Sequence, residues 1–253
     1  MINIILTGAM GKMGSSVTAA AADREGFRII AGVDLREGNR DYPVFSSFSE
    51  IPADITDGAD VIIDFSNPSA FGDMLDYAVS NKIGAVVCTT GLSEEQVTKL
   101  KSAAYSIPIF FSANMSLGVN LLCELSRKAA AALGSDFDIE IIEMHHNQKV
   151  DAPSGTAYMI ADTISAELGT EPSYEYDRHS KREKRPNNEI GIHSVRGGNI
   201  TGEHQVIFAG NDEVITLSHS ARSKGLFASG ALNAAVYTAG KENGFFSMKD
   251  LIG

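Results

Sequence analysis

The sequence predicts an α/β fold: a parallel sheet with helices on both faces, interrupted by an inserted α+β domain with a mixed sheet. Three observations carry this. Short apolar runs alternate with helical patterns over the first 115 or so residues, the alternation then stops, and a last helix is rich in small residues again. Strands separated by helices of this length form parallel βαβ units. The expected division is 1–116 with 227–253 as one domain and 117–226 as the other.

Taken in order, Ile2–Leu6 is a short apolar strand ending in Thr-Gly, followed by an alanine-rich helix from Gly11 to about Ala22. Phe27–Val33 is a second strand closed by Asp34, and Val61–Phe65 a third, stopped by Ser66-Asn-Pro68. The next helix puts Met74, Leu75, Ala78 and Val79 on one face, and Ala85–Cys88 ends in Thr89-Thr90-Gly91. Ser93-Glu-Glu-Gln96 has the form of a capping box opening a helix to about Ala104, before a strand at Ile107–Phe111. Beyond it come a helix near Leu117–Leu133, a strand at Phe137–Met144 and a helix carrying Ala157, Ile160, Ala161, Ile164 and Leu168, ended by Gly169. Ile192–Val195, Gln205–Phe208 and Val214–Ser218 read as antiparallel strands, with turn residues at Arg196-Gly-Gly-Asn199 and Ala209-Gly-Asn-Asp212. The last helix, about Phe227 to Ala239, is placed to return to the first domain.

The chain has 253 residues, 43% of them hydrophobic, enough for one or two cores. A net charge of −11 argues against a surface built for nucleic acid. Cys88 and Cys123 form no C-x-x-C pair, so a disulfide framework and a thiolate metal site are not expected, and a reducing cytoplasm fits. No apolar run approaches the roughly 20 residues of a membrane span, and none of the usual leader features precedes Ile2.

Thr7-Gly8-Ala-Met-Gly11-Lys-Met-Gly14 lies between the first strand and the first helix. Glycines there allow a sharp turn and close approach of a pyrophosphate to the helix N-terminus, the Rossmann-like arrangement. The spacing G-x-x-G-x-x-G is not the commoner one, and 24 glycines make chance matches easy, so position is the better argument. Asp34 then suits an adenosine ribose, while Arg36 and Lys12 suit a 2′-phosphate; the reading is NAD(P). The strand ends Phe65-Ser66, Cys88-Thr89-Thr90 and Ser112–Met115 are expected along the same crevice.

Glu143-Met-His-His-Asn-Gln-Lys-Val-Asp-Ala-Pro-Ser-Gly-Thr156 gathers two histidines, a lysine and a helix start within fourteen residues. Imidazole exchanges protons near neutral pH, lysine supplies a cation, and the first N–H groups of a helix attract anions. Together they suit acid/base chemistry on an anionic substrate. Adjacent histidines on a strand point to opposite faces and no third ligand sits at a usual spacing, so no metal is expected.

In order and spacing, Gly8–Gly14, Thr89-Thr90-Gly91, Asn114-Met-Ser-Leu-Gly-Val-Asn120 and Glu143–Thr156 resemble the dihydrodipicolinate reductase family. The resemblance covers essentially the whole chain, including Gly-Glu-His204 and Phe227-Ala-Ser-Gly230. It implies NADH- or NADPH-dependent reduction of a cyclic imine-type dicarboxylate, 4-hydroxy-tetrahydrodipicolinate, in diaminopimelate and lysine synthesis. It also implies a homotetramer whose inserted sheets pack together. By position, the resemblance makes His145 the acid/base and Lys149 a proton donor, with His146, Gly155 and Thr156 binding substrate. It gives Gly8, Ala9, Met10, Gly11, Lys12 and Met13 to the pyrophosphate and Asp34 to the ribose. Cys88, Thr89 and Thr90, with Ser112, Ala113, Asn114 and Met115, would flank the nicotinamide. One departure is Cys88, where the family usually has glycine. Positive φ there would strain a cysteine, whereas a need only for a small side chain would alter the cofactor fit slightly.

Two features invite other readings. The basic run Arg178–Arg185 reads as a solvated, mobile loop. Tyr237-Thr-Ala-Gly-Lys241 imitates the Tyr-x-x-x-Lys of extended short-chain dehydrogenases, but only sixteen residues follow Tyr237. The competing functions are a nucleotide-sensing protein without chemistry and an aspartate dehydrogenase-like imine reductase. A sensor need not keep both His145 and Lys149.

Overall fold

The computed structural model describes residues 1–169, 171 and 173–253. In chain order it forms β1 (Ile2–Thr7), α1 (Lys12–Ala22), β2 (Phe27–Val33), β3 (Val44–Phe45), α2 (Ala53–Asp57), β4 (Val61–Asp64), α3 (Phe71–Asn81), β5 (Gly84–Val87), α4 (Glu94–Ala103) and β6 (Pro108–Phe111). Then follow α5 (Leu117–Leu133), β7 (Asp138–His145), α6 (Gly155–Leu168), β8 (Ser173–Glu175), β9 (Glu189–Arg196), β10 (Gly202–Ala209), β11 (Val214–Ala221), α7 (Gly225–Ala239), β12 (Gly244–Phe246) and α8 (Met248–Ile252). They form two compact units, Met1–Leu117 with Lys224–Gly253, and Gly118–Ser223.

The first unit holds a seven-stranded sheet in the order β12-β6-β5-β4-β1-β2-β3, with every pairing parallel. Its central strands are apolar on both faces because helices cover both. Ile4, Leu6, Val61 and Ile63 face Val17 and Ala21 of α1 and the small residues Ala228, Ala231 and Ala235 of α7. Ile5, Ile62 and Val87 face Phe71, Met74 and Leu100 of α3 and α4. The capping box expected at Ser93 is formed, with Gln96 reaching back to the Ser93 N–H at 2.9 Å. β3, α2, β12 and α8, each too short to carry a periodic signal, add to the expected elements. Tyr237 packs edge-on to Phe246 and Phe110, with Lys241 Nζ 4.4 Å above its ring, so the Tyr-x-x-x-Lys spacing here serves packing.

The second unit holds a mixed five-stranded sheet in the order β11-β10-β7-β9-β8. Ile139, Ile141, Ile190, Ile192, Val206 and Phe208 line one face and pack with Ile160, Ala161 and Ile164 of α6. One expectation is corrected. β9 and β10 are not an antiparallel hairpin, because β7 lies between them, antiparallel to β10 and parallel to β9. The Gly197–Thr201 connection therefore arches over the end of β7, where Gly197 N–H donates to the His145 carbonyl at 2.9 Å and Asn147 N–H to the Gly198 carbonyl at 3.2 Å. β10 and β11 do form the expected hairpin, closed by Gly210 N–H to the Glu213 carbonyl.

The basic segment is solvent-exposed as expected, but it also carries ion pairs. Arg178 Nη1 lies 2.8 and 2.7 Å from the two oxygens of Glu189, whose side chain is buried. Arg185 reaches Glu140, Asp138 and the carbonyls of Ile139 and Glu189, and Lys181 pairs with Glu175. Buried carboxylates need cations, and Arg178, Lys181 and Arg185 supply them, so the loop is tied down by these three while residues 179–184 remain exposed to solvent.

Candidate active site

In the first unit the chain runs from β1 outward to β2 and β3, then returns to β4 on the other side of β1. Ligands of such sheets lie at the strands' carboxyl ends beside this reversal. Gly8 sits there with φ +70°, and a Cβ on it would strike the Phe65 carbonyl. A Cβ on Gly14 would strike the carbonyls of Gly8 and Ala9, so α1 packs directly beneath the turn. Gly11 makes no side-chain cap for α1, which leaves the helix start open to an anion. Ala9 is fully buried and offers a ligand only backbone, while Met13 is partly buried against the core. Beside the turn opens a cavity of about 550 Å³ whose lining includes Thr7, Gly8, Asp34, Arg36 and Phe65.

Asp34 ends β2 and accepts the Met10 N–H at 2.9 Å. Burial works against its charge, but hydrogen bonds from the side chain and backbone of Arg36 and from Met10 outweigh burial and hold the carboxyl below its usual range. Asp64, at the end of β4, was not singled out from sequence although it is a charge inside an apolar run. It is fully buried and accepts from the Thr7 and Ser66 hydroxyls, the Ser66 N–H at 3.1 Å and the Thr89 hydroxyl at 2.7 Å. One carboxylate thus ties together the ends of β1, β4 and β5.

Cys88 follows β5 and is buried, and burial and then the Asp64 charge push its thiol well up. Among the described residues only Lys82 is a non-glycine with positive φ, so cysteine at 88 carries no left-handed strain. Thr89 is buried and Thr90 exposed. At the end of β6 the Ser112 hydroxyl donates to the Asn114 carbonyl at 2.8 Å. Met115 is buried against Gly230 of α7, where any side chain would collide with the Met115 carbonyl.

The second unit carries the His/Lys segment at the end of β7 and in the loop to α6. Side chains two apart on a strand share a face, which puts Glu143 and His145 together on the α6 side of the sheet. Glu143 is fully buried and bound through both oxygens by Arg196 of β9, at 2.8 and 2.6 Å. His145 Nδ1 lies 2.6 Å from Glu143 Oε2, and the Ser154 N–H donates to Oε1 at 3.1 Å. His204, opposite Glu143 on β10, is buried with its Nε2 3.0 Å from the Ser154 hydroxyl, and its ring lies edge-on to His145 at 5.3 Å. Ser154 caps α6 by accepting the Ala157 N–H at 3.2 Å. Gly155 and Thr156 open that helix. Lys149 is paired with Asp151 at 2.7 Å, and His146 is half-buried beside it in the chain.

Burial opposes the Glu143 charge, but hydrogen bonds from Arg196, Ser194 and His145 prevail and lower its pKa to about 2. Burial lowers the pKa of His145, Glu143 raises it in part, and the charges of Lys149 and Arg196 lower it further. Burial, then the neighbouring His145, lower His204 to about 4, so it is neutral at physiological pH. The expected site residues thus fall into two groups: 8–13, 34, 88–90 and 112–115 just beyond the carboxyl ends of β1, β2, β5 and β6 in the first unit, and 145, 146, 149, 155 and 156 on the second. Arg196 and His204 had been noted only as turn and motif residues, and strand register is what brings them to His145. Glu143 had a local signal, its two-residue spacing from His145. Among the described residues no cluster of three or more histidine, cysteine or acidic side chains is placed to hold a metal.

Comparison with known proteins accords with this layout. The family model for the N-terminus of dihydrodipicolinate reductase matches residues 2–115, and that for the C-terminus matches residues 118–252. The chain is 50% identical to the 4-hydroxy-tetrahydrodipicolinate reductase of Caldanaerobacter subterraneus subsp. tengcongensis, over 100% of this chain and 98% of the relative. It is 45% identical to that of Clostridium novyi, again over 100% and 98%. A solved dipicolinate-bound dihydrodipicolinate reductase from Paenisporosarcina sp. TG-14 superposes with a TM-score of 0.80 at 26% identity, covering 98% of this chain and 97% of that one. Both halves are matched in sequence, and the glycine turn and the His/Lys segment each stand where the fold can use them; the chain therefore belongs to the dihydrodipicolinate reductase family.

Proposed function

We propose that the chain catalyses NADH- or NADPH-dependent reduction of 4-hydroxy-tetrahydrodipicolinate to tetrahydrodipicolinate, the step of diaminopimelate and lysine synthesis carried in its relatives' name. The observation that carries this reading is the convergence within residues 145–156 of an imidazole, an ammonium group and a helix start. Lys149 is near enough to His145 to oppose its protonation.

The glycine cradle, which a Cβ would fill, and the Asp34 carboxylate fit a dinucleotide. Gly8, Ala9, Met10, Gly11, Lys12 and Met13 would hold the pyrophosphate and Asp34 the ribose. Cys88–Thr90 and Ser112–Met115 would flank the ring. When bound, the reduced nicotinamide supplies a hydride. The chain's own groups do the rest. Gly155 and Thr156, at the positive end of α6, take one substrate carboxylate, with His146 and Lys149 as further donors. Loss of the 4-hydroxyl as water leaves a carbon–carbon double bond conjugated to the imine; as that carbon takes the hydride, His145 or Lys149 delivers the proton to the carbon beside it, which is worth about 10²–10⁴ in rate. Burial disfavours the charged imidazole of His145, and the approach of two carboxylates works in the opposite direction.

The family resemblance supports a homotetramer built through the second unit's sheet, and the two free, buried cysteines suit a reducing cytoplasm. No helix among the described residues is long and apolar enough to cross a membrane, and the acidic surface gives nucleic acid no purchase.

The test follows NADH or NADPH absorbance with substrate generated in situ from pyruvate and aspartate semialdehyde. Oxidation, inhibited by pyridine-2,6-dicarboxylate, is expected. No oxidation by the wild type would remove the enzyme reading, and full activity in a His145→Gln/Lys149→Ala double variant would remove the site assignment.

A further inference from the structure

We propose that Glu143 is a positioning residue that fixes the acid/base histidine and the start of α6 together, a role that rests on the reading of residues 145–156 given above. The donors around this carboxylate come from the sheet and from the start of α6. Arg196 grips both oxygens at 2.8 and 2.6 Å, and its Nη2 also donates to the Asp151 carbonyl at 2.7 Å. His145 at 2.6 Å, the Ser154 N–H at 3.1 Å and the Ser194 side chain join it.

An ionised carboxylate only accepts hydrogen bonds, so Nδ1 of His145 carries the hydrogen. The neutral ring therefore keeps its lone pair at Nε2, and the second proton enters and leaves there. Gly202, at the start of β10, leaves that nitrogen room: a Cβ at 202 would lie 3.1 Å from Nε2. The other arm of Glu143 ends on Ser154, whose hydroxyl caps α6 and meets His204. Because Gly155 and Thr156 follow at once, displacing this carboxylate moves the imidazole and the helix's positive end as one body. The charged and titratable groups facing the pair are Arg196 from β9, His204 from β10 with His219 beyond it on β11, and Lys149 and Asp151 from the loop.

Nitrogen-detected NMR of His145 in the wild-type protein should show the Nδ1–H tautomer, and a dominant Nε2–H tautomer would overturn the proposal without any variant. Glu143→Gln keeps the shape and removes the charge. It should lower kcat on the order of 10²-fold, weaken pyridine-2,6-dicarboxylate binding, and move the limb on which activity falls with rising pH to lower pH. Glu143→Asp should recover part of the loss. A folded Glu143→Gln protein with wild-type kcat and pH profile would sink the idea. If that variant fails to fold, Glu143→Gln/Arg196→Met removes both charges; the same kcat loss is expected, and full kcat would count against the role. His145→Gln separates the two levels: if it is fully active, the underlying site reading fails, whereas its inactivity beside an active Glu143→Gln condemns only this proposal.

Discussion

Arg36 lies flat against Asp34, its Nε 3.0 Å from Oδ1 and its Nη2 2.9 Å from Oδ2, while the latter oxygen also accepts the Met10 N–H. The carboxylate suited to ribose hydroxyls is thus covered by the cation suited to a 2′-phosphate. Arg36 is largely exposed. Asp34→Ala should therefore raise KM for NADH more than for NADPH, and Arg36→Ala the reverse, each by about tenfold, the worth of one hydrogen bond to a charged group. Steady-state kinetics with both cofactors would check this, and equal effects on the two would contradict it.

Asp64 makes a different prediction, because three strand ends depend on it. Asp64→Ala strands the Thr7, Ser66 and Thr89 hydroxyls together with the Ser66 N–H. A loss of about 2–4 kcal/mol in urea unfolding is expected, with a raised KM for dinucleotide in whatever protein stays folded. Unchanged stability would mean that water replaces the carboxylate at no cost.

His204 should make the protein sensitive to acid. Its pKa falls to about 4 in the folded chain, so between about pH 6.5 and 4 the unfolded chain binds a proton that the folded chain refuses. Stability is then full above pH 6.5 and declines as pH falls, by about 2–3 kcal/mol at pH 4.5. Glu143, lowered to about 2, adds its own loss only below about pH 4.5. Denaturant curves at pH 7 and 5 measure the first window, and His204→Gln should flatten the difference between them.

Breaking the Arg178–Glu189 pair leaves a buried carboxylate poorly compensated, since Arg185 Nε stands 3.8 Å away. Arg178→Ala should cost on the order of 3 kcal/mol and leave kcat per folded molecule unchanged. Thermal unfolding with parallel kinetics reads both, and a silent substitution would return the loop to solvent.

The parallel sheet was legible because its strands are short apolar runs between helices, a pattern that needs no long-range knowledge. The glycine turn, Asp34 and residues 145–156 were legible for the same reason: each is local. What escaped was set by register. Nothing near Arg196 says that it meets Glu143, since β9 pairs with β7 fifty-odd residues back. The hairpin expected between β9 and β10 failed for the same cause: turn residues at 196–199 announce a reversal but not the strand inserted between its arms. The ion pairs of the basic segment escaped because its partner, Glu189, is buried only once the sheet exists.

The last consequence concerns the order of synthesis. One face of the first sheet is covered by α7, whose Ala228, Ala231, Leu232 and Ala235 lie against Ile4, Leu6 and Ile63. Some two hundred residues separate these partners, and all of Gly118–Ser223 leaves the ribosome between them. A chain cut after Ser223 should consequently be digested by protease within residues 1–117 faster than within 118–223, and equal resistance of both would refute this. During synthesis, the face of this sheet that α7 covers therefore lacks its partner until Lys224–Gly253 has been made.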